Sequence, residues 1–375
     1  MPERGDLPFE SIEDIIIMIR GDLRRSLAEE EGRLVDPLWR SDLPDQIHGS
    51  IAAIDGGSNR RRINQGQVVF ITSSSLFERG SRVRRARKYQ VGVLDDIWHG
   101  ERISICRETM EVKMALRTIE SSNPEILLLD GSLEALAGER LTPFGSRYRF
   151  LHTRRFLEDV VDEIREAGIG LTDGLVSLLL NPGNSEIVDG IIEEYYRSKL
   201  GEELRRDELV RIRMFLERYE TLISLNELLS KSERLVAISK RSGSRVYFES
   251  RIPDLEIVRR SCPLKTGYLI PKKISLRFPE YYGIESSYPI TITYAKFERN
   301  SNPLRIEVLG EHDEQSMGRI LSSLARSAVR GYPYHLRVAH EMARIGKGEV
   351  LHLMKNLLLT DWISGREVLG EQDTW

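Results

Sequence analysis

Two apolar runs with the same ending constrain this chain more than anything else in it. Residues 51–57 read IAAIDGG and residues 124–132 read PEILLLDGS. Each is an unbroken apolar stretch that meets an aspartate and then glycine. Such runs, with no polar alternation, read as strands covered on both faces. An aspartate closing a buried strand sits at the edge of an α/β sheet, where these folds meet their ligands. The glycine behind it lets a backbone or a substrate come close.

The segments around them complete an α/β pattern. GQVVFITSSSLF (66–77) and SRVRRARKYQVGVLDD (81–96) read as two further strands, antiparallel to each other, rich in β-branched and aromatic residues. ISICRETMEVKMALRTIESS (103–122) has helical spacing, with Ile105, Val112, Leu116 and Ile119 on one face. Strands, a helix and then the second Asp-Gly strand define a mixed α/β core. Residues 133–232 change character to amphipathic helices dense in Glu and Arg, read as a helical insertion carrying arms or a dimer surface. Strand character returns at RLVAISKRSGSRVYF (234–248), and PITITYAKFE (289–298) with PLRIEVLG (303–310) reads as a hairpin. The tail reads as two or three helices broken at Gly331-Tyr332-Pro333, and residues 9–31 as an N-terminal helix. The expected organisation is an N-terminal helical segment (1–45), a core in two parts (46–132 and 233–348) split by the insertion (133–232), and a C-terminal helix and tail (349–375).

A chain of 375 residues, 40% hydrophobic and 30% charged, has ample material for one large domain or two ordinary ones. Its formal net charge of −3 excludes a basic nucleic-acid coat, so a nucleic-acid site must be a local concentration of Lys and Arg. Two cysteines, Cys106 and Cys262, exclude a disulfide framework and a zinc module and suit a reducing cytosol, so a cytoplasmic location is expected. IEDIIIMIR, near the start, is too short and too charged at its flanks for a signal peptide or a membrane span, and no membrane association is expected.

If the two Asp-Gly strands are neighbours, Asp55 and Asp130 converge. Like charges so close are costly unless a cation lies between them. A hard divalent ion, held through oxygen, supplies that charge and can activate water beside a phosphoryl group. The preceding helix offers a third carboxylate, Glu108 nearer its apolar face or Glu111 at the edge, and periodicity does not choose between them. His340 shares a helical face with Leu336, Ala339 and Ala343 and is expected to point inward, with Tyr332 and Tyr334 flanking the proline that starts that helix. Arg60, Arg61 and Arg62 follow the first aspartate, and RGSRVRRARK (79–88), containing Arg84, Arg85 and Arg87, carries six positive side chains. Two basic runs near the carboxylates point to a polyanionic substrate.

These segments resemble the NurA nucleases, partners of the HerA hexameric DNA translocase. The resemblance rests on IAAIDGGSN, TMEVKMAL, ILLLDGSL, RLVAISK, ITITYAKFE with LRIEVLG, and GYPYHLRVAH, in the family's order over residues 48–346. It implies an RNase H-like mixed central sheet flanked by helices, with the large helical insertion. It also implies manganese-dependent cleavage of DNA, as single-strand endonuclease and 5′–3′ exonuclease in end resection, a homodimer, and docking on a HerA-type translocase. By resemblance Asp55, Glu111, Asp130 and His340 hold Mn²⁺, with Mg²⁺ as the alternative. Glu111 is favoured because it lies 19 residues before Asp130 (130 − 111). Tyr332 is the associated tyrosine, with Tyr334 as its rival, and Lys240 contacts DNA. Asp55-Gly-Gly-Ser departs from the commoner Asp-Gly-Ser by one glycine. An actin-like ATPase would need a second phosphate loop, which the sequence lacks. A non-catalytic scaffold would not need all of these positions filled.

Overall fold

The computed structural model describes residues 35–44, 49–63, 66–95, 97–138, 154–201, 203–262 and 264–356. The expected helix at 9–31 and everything beyond 356 lie outside the described residues. Strands are β1 (Trp39–Arg40), β2 (Ser50–Ile63), β3 (Gly66–Arg79), β4 (Arg82–Leu94), β5 (Ile126–Asp130), β6 (Leu235–Ser239), β7 (Gly267–Leu269), β8 (Lys272–Arg277), β9 (Ser287–Lys296), β10 (Leu304–Leu309), β11 (Ala328–Val329) and β12 (Tyr332–Pro333). Helices are α1 (His99–Ser122), α2 (Leu133–Ala137), α3 (Arg154–Glu166), α4 (Pro182–Leu200), α5 (Arg206–Lys231), α6 (Asp254–Ser261), α7 (Glu314–Arg326), α8 (Tyr334–Ala343) and α9 (Lys347–Asn356).

A ten-stranded mixed sheet runs β1-β7-β9-β10-β6-β5-β2-β3-β4, with β8 added beside β9. β2, β3 and β4 form an antiparallel meander. β5 and β6 run parallel to β2, and β10 returns antiparallel against β6 and β9. The expected hairpin is therefore β9–β10, and the tail is α7, α8 and α9 interrupted at 327–333 by the small β11–β12 pair.

Because strand side chains alternate, the central strands feed two separate cores. Ala52, Ile54, Leu127, Leu129, Leu235 and Ala237 point to one face and pack with α1, α3, α4 and α5. Ile51, Ala53, Ile126, Leu128, Val236 and Ile238 point to the other and pack with Met317, Leu321, Leu336 and Ala339 of α7 and α8. This double burial is why β5 and β6 are short continuous apolar runs. The last helix of the middle region, α5, lies along α1 rather than projecting from the core. Buried ion pairs join them: Arg102 Nε to Glu217 Oε2 at 3.0 Å, Lys113 Nζ to Glu220 Oε1 at 2.8 Å, and Arg218 Nη1 to Glu108 Oε2 at 3.6 Å. Burying charge is tolerable only with partners this close.

One expectation fails here. Asp55 does not close its strand. β2 continues for fourteen residues, in unbroken register with β3 from Ser50↔Arg79 to Ile63↔Gly66, and Asp55 lies opposite Ser74 in mid-ladder. The apolar run stops at Asp55, but the hydrogen-bonded ladder goes on, and Ile63 at its far end is buried again against Ile345, Val350 and Met354. Asp130 does end β5 as expected.

Candidate metal centre

The pleat decides who meets whom. Asp55 and Asp130 continue the odd and even positions that face α8, one strand spacing apart, so both carboxylates emerge on the α8 side of the sheet. Asp55 is buried and Asp130 half-buried. His340, on α8, completes the group: its Nδ1 is 2.7 Å from Asp55 Oδ2. One ligand atom from each of Asp55, Asp130 and His340 lies within 4.8 Å of the other two. Two carboxylates and an imidazole at that spacing suit a divalent ion, with imidazole favouring a transition metal over Mg²⁺.

His340 corrects its expected placement. Leu336, Ala339 and Ala343 are buried, but the His340 side chain is 56% exposed and opens onto solvent beside Asp55. It stands at the rim of the helix's apolar stripe, where side chains reach the sheet edge rather than the core.

Both glycines after Asp55 are required, one for each face. Gly56 faces α1: a Cβ there would lie 2.7 Å from Glu111 Cγ. Gly57 faces α8: a Cβ there would lie 2.8 Å from the Ala343 carbonyl carbon and overlap its oxygen. The doubled glycine thus lets Glu111 settle on the strand from one side and the end of α8 from the other. α8 is moored by β3, where Ser74 Oγ donates to Ala339 O at 2.7 Å and Thr72 Oγ1 donates to Ala343 O. The bond to Ala343 O satisfies a carbonyl that the helix end leaves orphaned. The two bonds account for Thr72 and Ser74 within the buried TSSS of β3, while Ser75 pairs with Thr118.

Glu111 lies behind the triad. Its side chain is 13% exposed, with Arg107 Nε at 3.7 Å. Burial, then the negative charges of Asp55, Glu108 and Asp130, push its pKa up to about 8, against the pull of Arg107. Asp55 is raised as well, by burial and then by Asp130, with the His340 bond working the other way. Both shifts are led by burial, and the neighbouring carboxyls add to them. Glu108, the alternative helix carboxylate, is buried against Arg218 on the α5 side.

Two more residues converge on Asp130. Lys240 Nζ is 3.2 Å from Asp130 Oδ2 and 3.9 Å from the centre of the Tyr332 ring. Tyr332 Oη is itself buried, and burial followed by Asp130 holds its proton on well above the usual range. Tyr334 is exposed and lines a separate cavity with His335 and Arg326 near the far end of β2.

The arginines do not share one face of the sheet. Arg61 shares the face of Asp55, while Arg60 and Arg62 point to the α1 face. On β4, Arg85 and Arg87 lie on the α8 side, and Arg84 on the opposite side. Arg87 is engaged with Glu349 at 3.1 Å and donates to the Arg344 carbonyl at 2.8 Å, tying β4 to the end of α8 and to α9.

Glu307 carries a role the sequence reading did not identify. From β10 it accepts hydrogen bonds from Ser132 Oγ (2.6 Å), Leu133 N (2.6 Å) and Glu134 N (3.1 Å), and pairs with Arg305 Nε at 3.1 Å. It therefore caps the turn that immediately follows Asp130. The available signal was the pair Arg305 and Glu307, two charges on one face of an otherwise apolar strand.

Fold and site together define a mixed α/β protein with a carboxylate–imidazole cluster that could hold a divalent cation, where β5 ends beside the middle of β2. The NurA-domain family profile matches residues 49–345. The DNA double-strand break repair nuclease NurA of Sulfolobus acidocaldarius is 23% identical over 343 residues, 87% of this chain and 86% of that protein. Its namesake from Saccharolobus solfataricus is 25% identical over 305 residues, covering 77% and 74%. Among solved structures, the NurA nuclease from Sulfolobus solfataricus superposes with a TM-score of 0.65 at 21% identity, covering 94% of this chain and 96% of that one. A NurA with manganese gives 0.62 at 17% identity, covering 93% and 98%, and a NurA bound to dAMP and manganese gives 0.59 at 17%, covering 95% and 98%. The chain belongs to the NurA family.

Proposed function

We propose that this chain is a metal-dependent deoxyribonuclease, with Asp55, Asp130 and His340 holding Mn²⁺ and Glu111 supporting them from behind. The observation that carries the reading is the convergence of those three side chains, within 4.8 Å, from segments up to 285 residues apart. The relatives' names as DNA double-strand break repair nucleases and the manganese in two structural neighbours support it. Mg²⁺ is the alternative ion.

A divalent cation, when bound, supplies Lewis-acid stabilisation of phosphoryl charge and makes water a better nucleophile at neutral pH. The chain's own groups do the rest. Asp55 and Asp130 fix the charge balance at the sheet edge. Lys240, now spent on Asp130, turns to a phosphate oxygen once that carboxylate has another partner. Tyr332 keeps its proton and donates a hydrogen bond rather than accepting one. Glu111, with a pKa of about 8, retains a proton near neutrality until positive charge arrives beside it. Arg61 and Arg85, on the Asp55 face, hold the strand electrostatically; Arg87, in register with Asp55 through Ser74, is committed to Glu349 and the Arg344 carbonyl, and Arg60, Arg62 and Arg84 lie on the opposite face.

On this reading the core, residues 46–132 and 233–348 around the 133–232 insertion, is RNase H-like. The order β4-β3-β2-β5-β6 with only β3 reversed supports that. The activity is single-strand endonuclease and 5′–3′ exonuclease in cytoplasmic end resection, as a homodimer with a HerA-type translocase. No helix among the described residues is long and apolar enough to cross a membrane. The test is cleavage of single-stranded DNA in Mn²⁺ by Asp55→Ala and Asp130→Ala. Both should lose cleavage while retaining DNA binding and a wild-type melting temperature in EDTA; a double variant that still cuts sinks the assignment.

A further inference from the structure

A second cationic feature lies next to the metal centre. Lys240, Arg241, Ser242, Glu256, Arg259 and Asn302 line a cleft of about 400 Å³. The cleft lies at the carboxyl end of β6, where β10 begins and α6 starts. It is on the same sheet edge as Asp130, because β5 and β6 are parallel neighbours. Three cations against one carboxylate leave it net positive. Arg259 is held by Glu256 at 2.9 Å, whereas Arg241 is exposed and has no ion-pair partner among the described residues. Ser242 Oγ accepts from Arg305 Nη1 and from Ser244 N, both at 3.2 Å. Lys240 lies in both places at once, lining the cleft while its Nζ rests 3.2 Å from Asp130.

We infer that this cleft seats the phosphate next to the scissile one. The inference rests on the nuclease reading of the Asp55–Asp130–His340 centre and adds the register in which a strand lies across it. Lys240, which lines the cleft and rests 3.2 Å from Asp130, puts the cleft and the metal centre within one side chain of each other. Guanidinium forks with a hydroxyl and an amide donor recognise a phosphate by charge-assisted hydrogen bonds. An adjacent internal phosphate and a terminal phosphate offer the same chemistry, and the cleft fits either.

The test compares the dinucleotide dTpdT, which has one phosphate, with pdTpdT and dTpdTp, which add a phosphate on one side or the other. With the wild-type chain in Mn²⁺, one of the two longer substrates is expected to exceed dTpdT in kcat/KM by about tenfold, the value of one charge-assisted contact, carried in KM. Arg241→Ala/Arg259→Ala should bring that substrate to within about twofold of dTpdT and leave dTpdT cleavage and the melting temperature unchanged. The trinucleotide dTpdTpdT, tested alongside, separates an internal neighbour from a free end. Calorimetric binding of the same set in EDTA reads the cleft independently of turnover. If wild type cuts nothing, the nuclease reading fails while the binding series still decides the cleft. If wild type shows no advantage for a second phosphate in either assay, or if the double variant keeps that advantage or loses dTpdT equally, the cleft is not its seat.

Discussion

Glu111 offers the sharpest test of the electrostatics. Replacing it by Gln keeps its shape over Gly56 and removes only the capacity to ionise. The carboxyl titrates near 4.5 when exposed and at about 8 in the fold. Each pH unit of displacement is worth about 1.4 kcal/mol, so the ceiling is about 5 kcal/mol. The native state binds the extra proton between those two values. Its stabilising effect is therefore complete below about pH 4.5 and is lost as pH rises through about 8. Glu111→Gln escapes that loss. Some solvent access and the nearby Arg107 screen the charge, so a gain of about 2 kcal/mol at pH 9 is the working figure. That corresponds to roughly 2–3 °C in melting temperature for a chain of this size. At pH 4.5 the two proteins should melt together. Thermal melts in EDTA at both values decide it. A Glu111→Gln protein that is less stable than wild type at pH 9, or equally shifted at both, would refute the burial of Glu111 beside other carboxyls. Adding Mn²⁺ should raise the melting temperature of wild type more than that of the variant, since binding to the native state stabilises by mass action.

Gly57→Ala should cost about 2 kcal/mol in urea denaturation, because the obstructing group is the backbone carbonyl of Ala343 and not a mobile side chain. Gly56→Ala meets only the Glu111 side chain, so it should leave stability nearer wild type and instead reduce cleavage by displacing that carboxyl. Arg102→Met should cost about 3–5 kcal/mol by stranding Glu217, and Arg102→Met/Glu217→Leu should recover most of it, read as urea midpoints. Arg61→Ala should weaken DNA binding and lower its salt dependence more than Arg60→Ala or Arg62→Ala, measured by anisotropy across a salt series; equal effects would mean that DNA does not lie on the Asp55 face.

Much of the fold was legible because strand and helix periods are local. The Asp-Gly runs, the β9–β10 hairpin and the helix over 103–122 all announce themselves within a dozen residues. The pairing of Asp55 with Asp130 followed from two buried strands sharing one ending. What was not legible depends on partners far off in sequence. Asp55 lies in mid-strand because β3 keeps pairing with β2 past it as far as Ile63. Glu108 and Glu111 could not be told apart from periodicity, since Arg218 and Gly56, which occupy their two sides, lie on other elements. His340 shares an apolar helical face with Ala339 and Ala343, which are buried, yet is exposed because it stands at the rim of that stripe, beside Asp55. Glu307 reaches Ser132 across 175 residues, which no short window reveals.

The strict alternation along β2 has a consequence for how this chain can vary. From Asp55 to Ile63 the strand is a two-sided ruler, carrying one arginine toward the metal side and two toward the other. Inserting a single residue after Asp55 would exchange those two sets while leaving the aspartate in place, and would bring a glycine's neighbours against both helices. Length can therefore change in β2 only by pairs, or by a bulge that absorbs the odd residue.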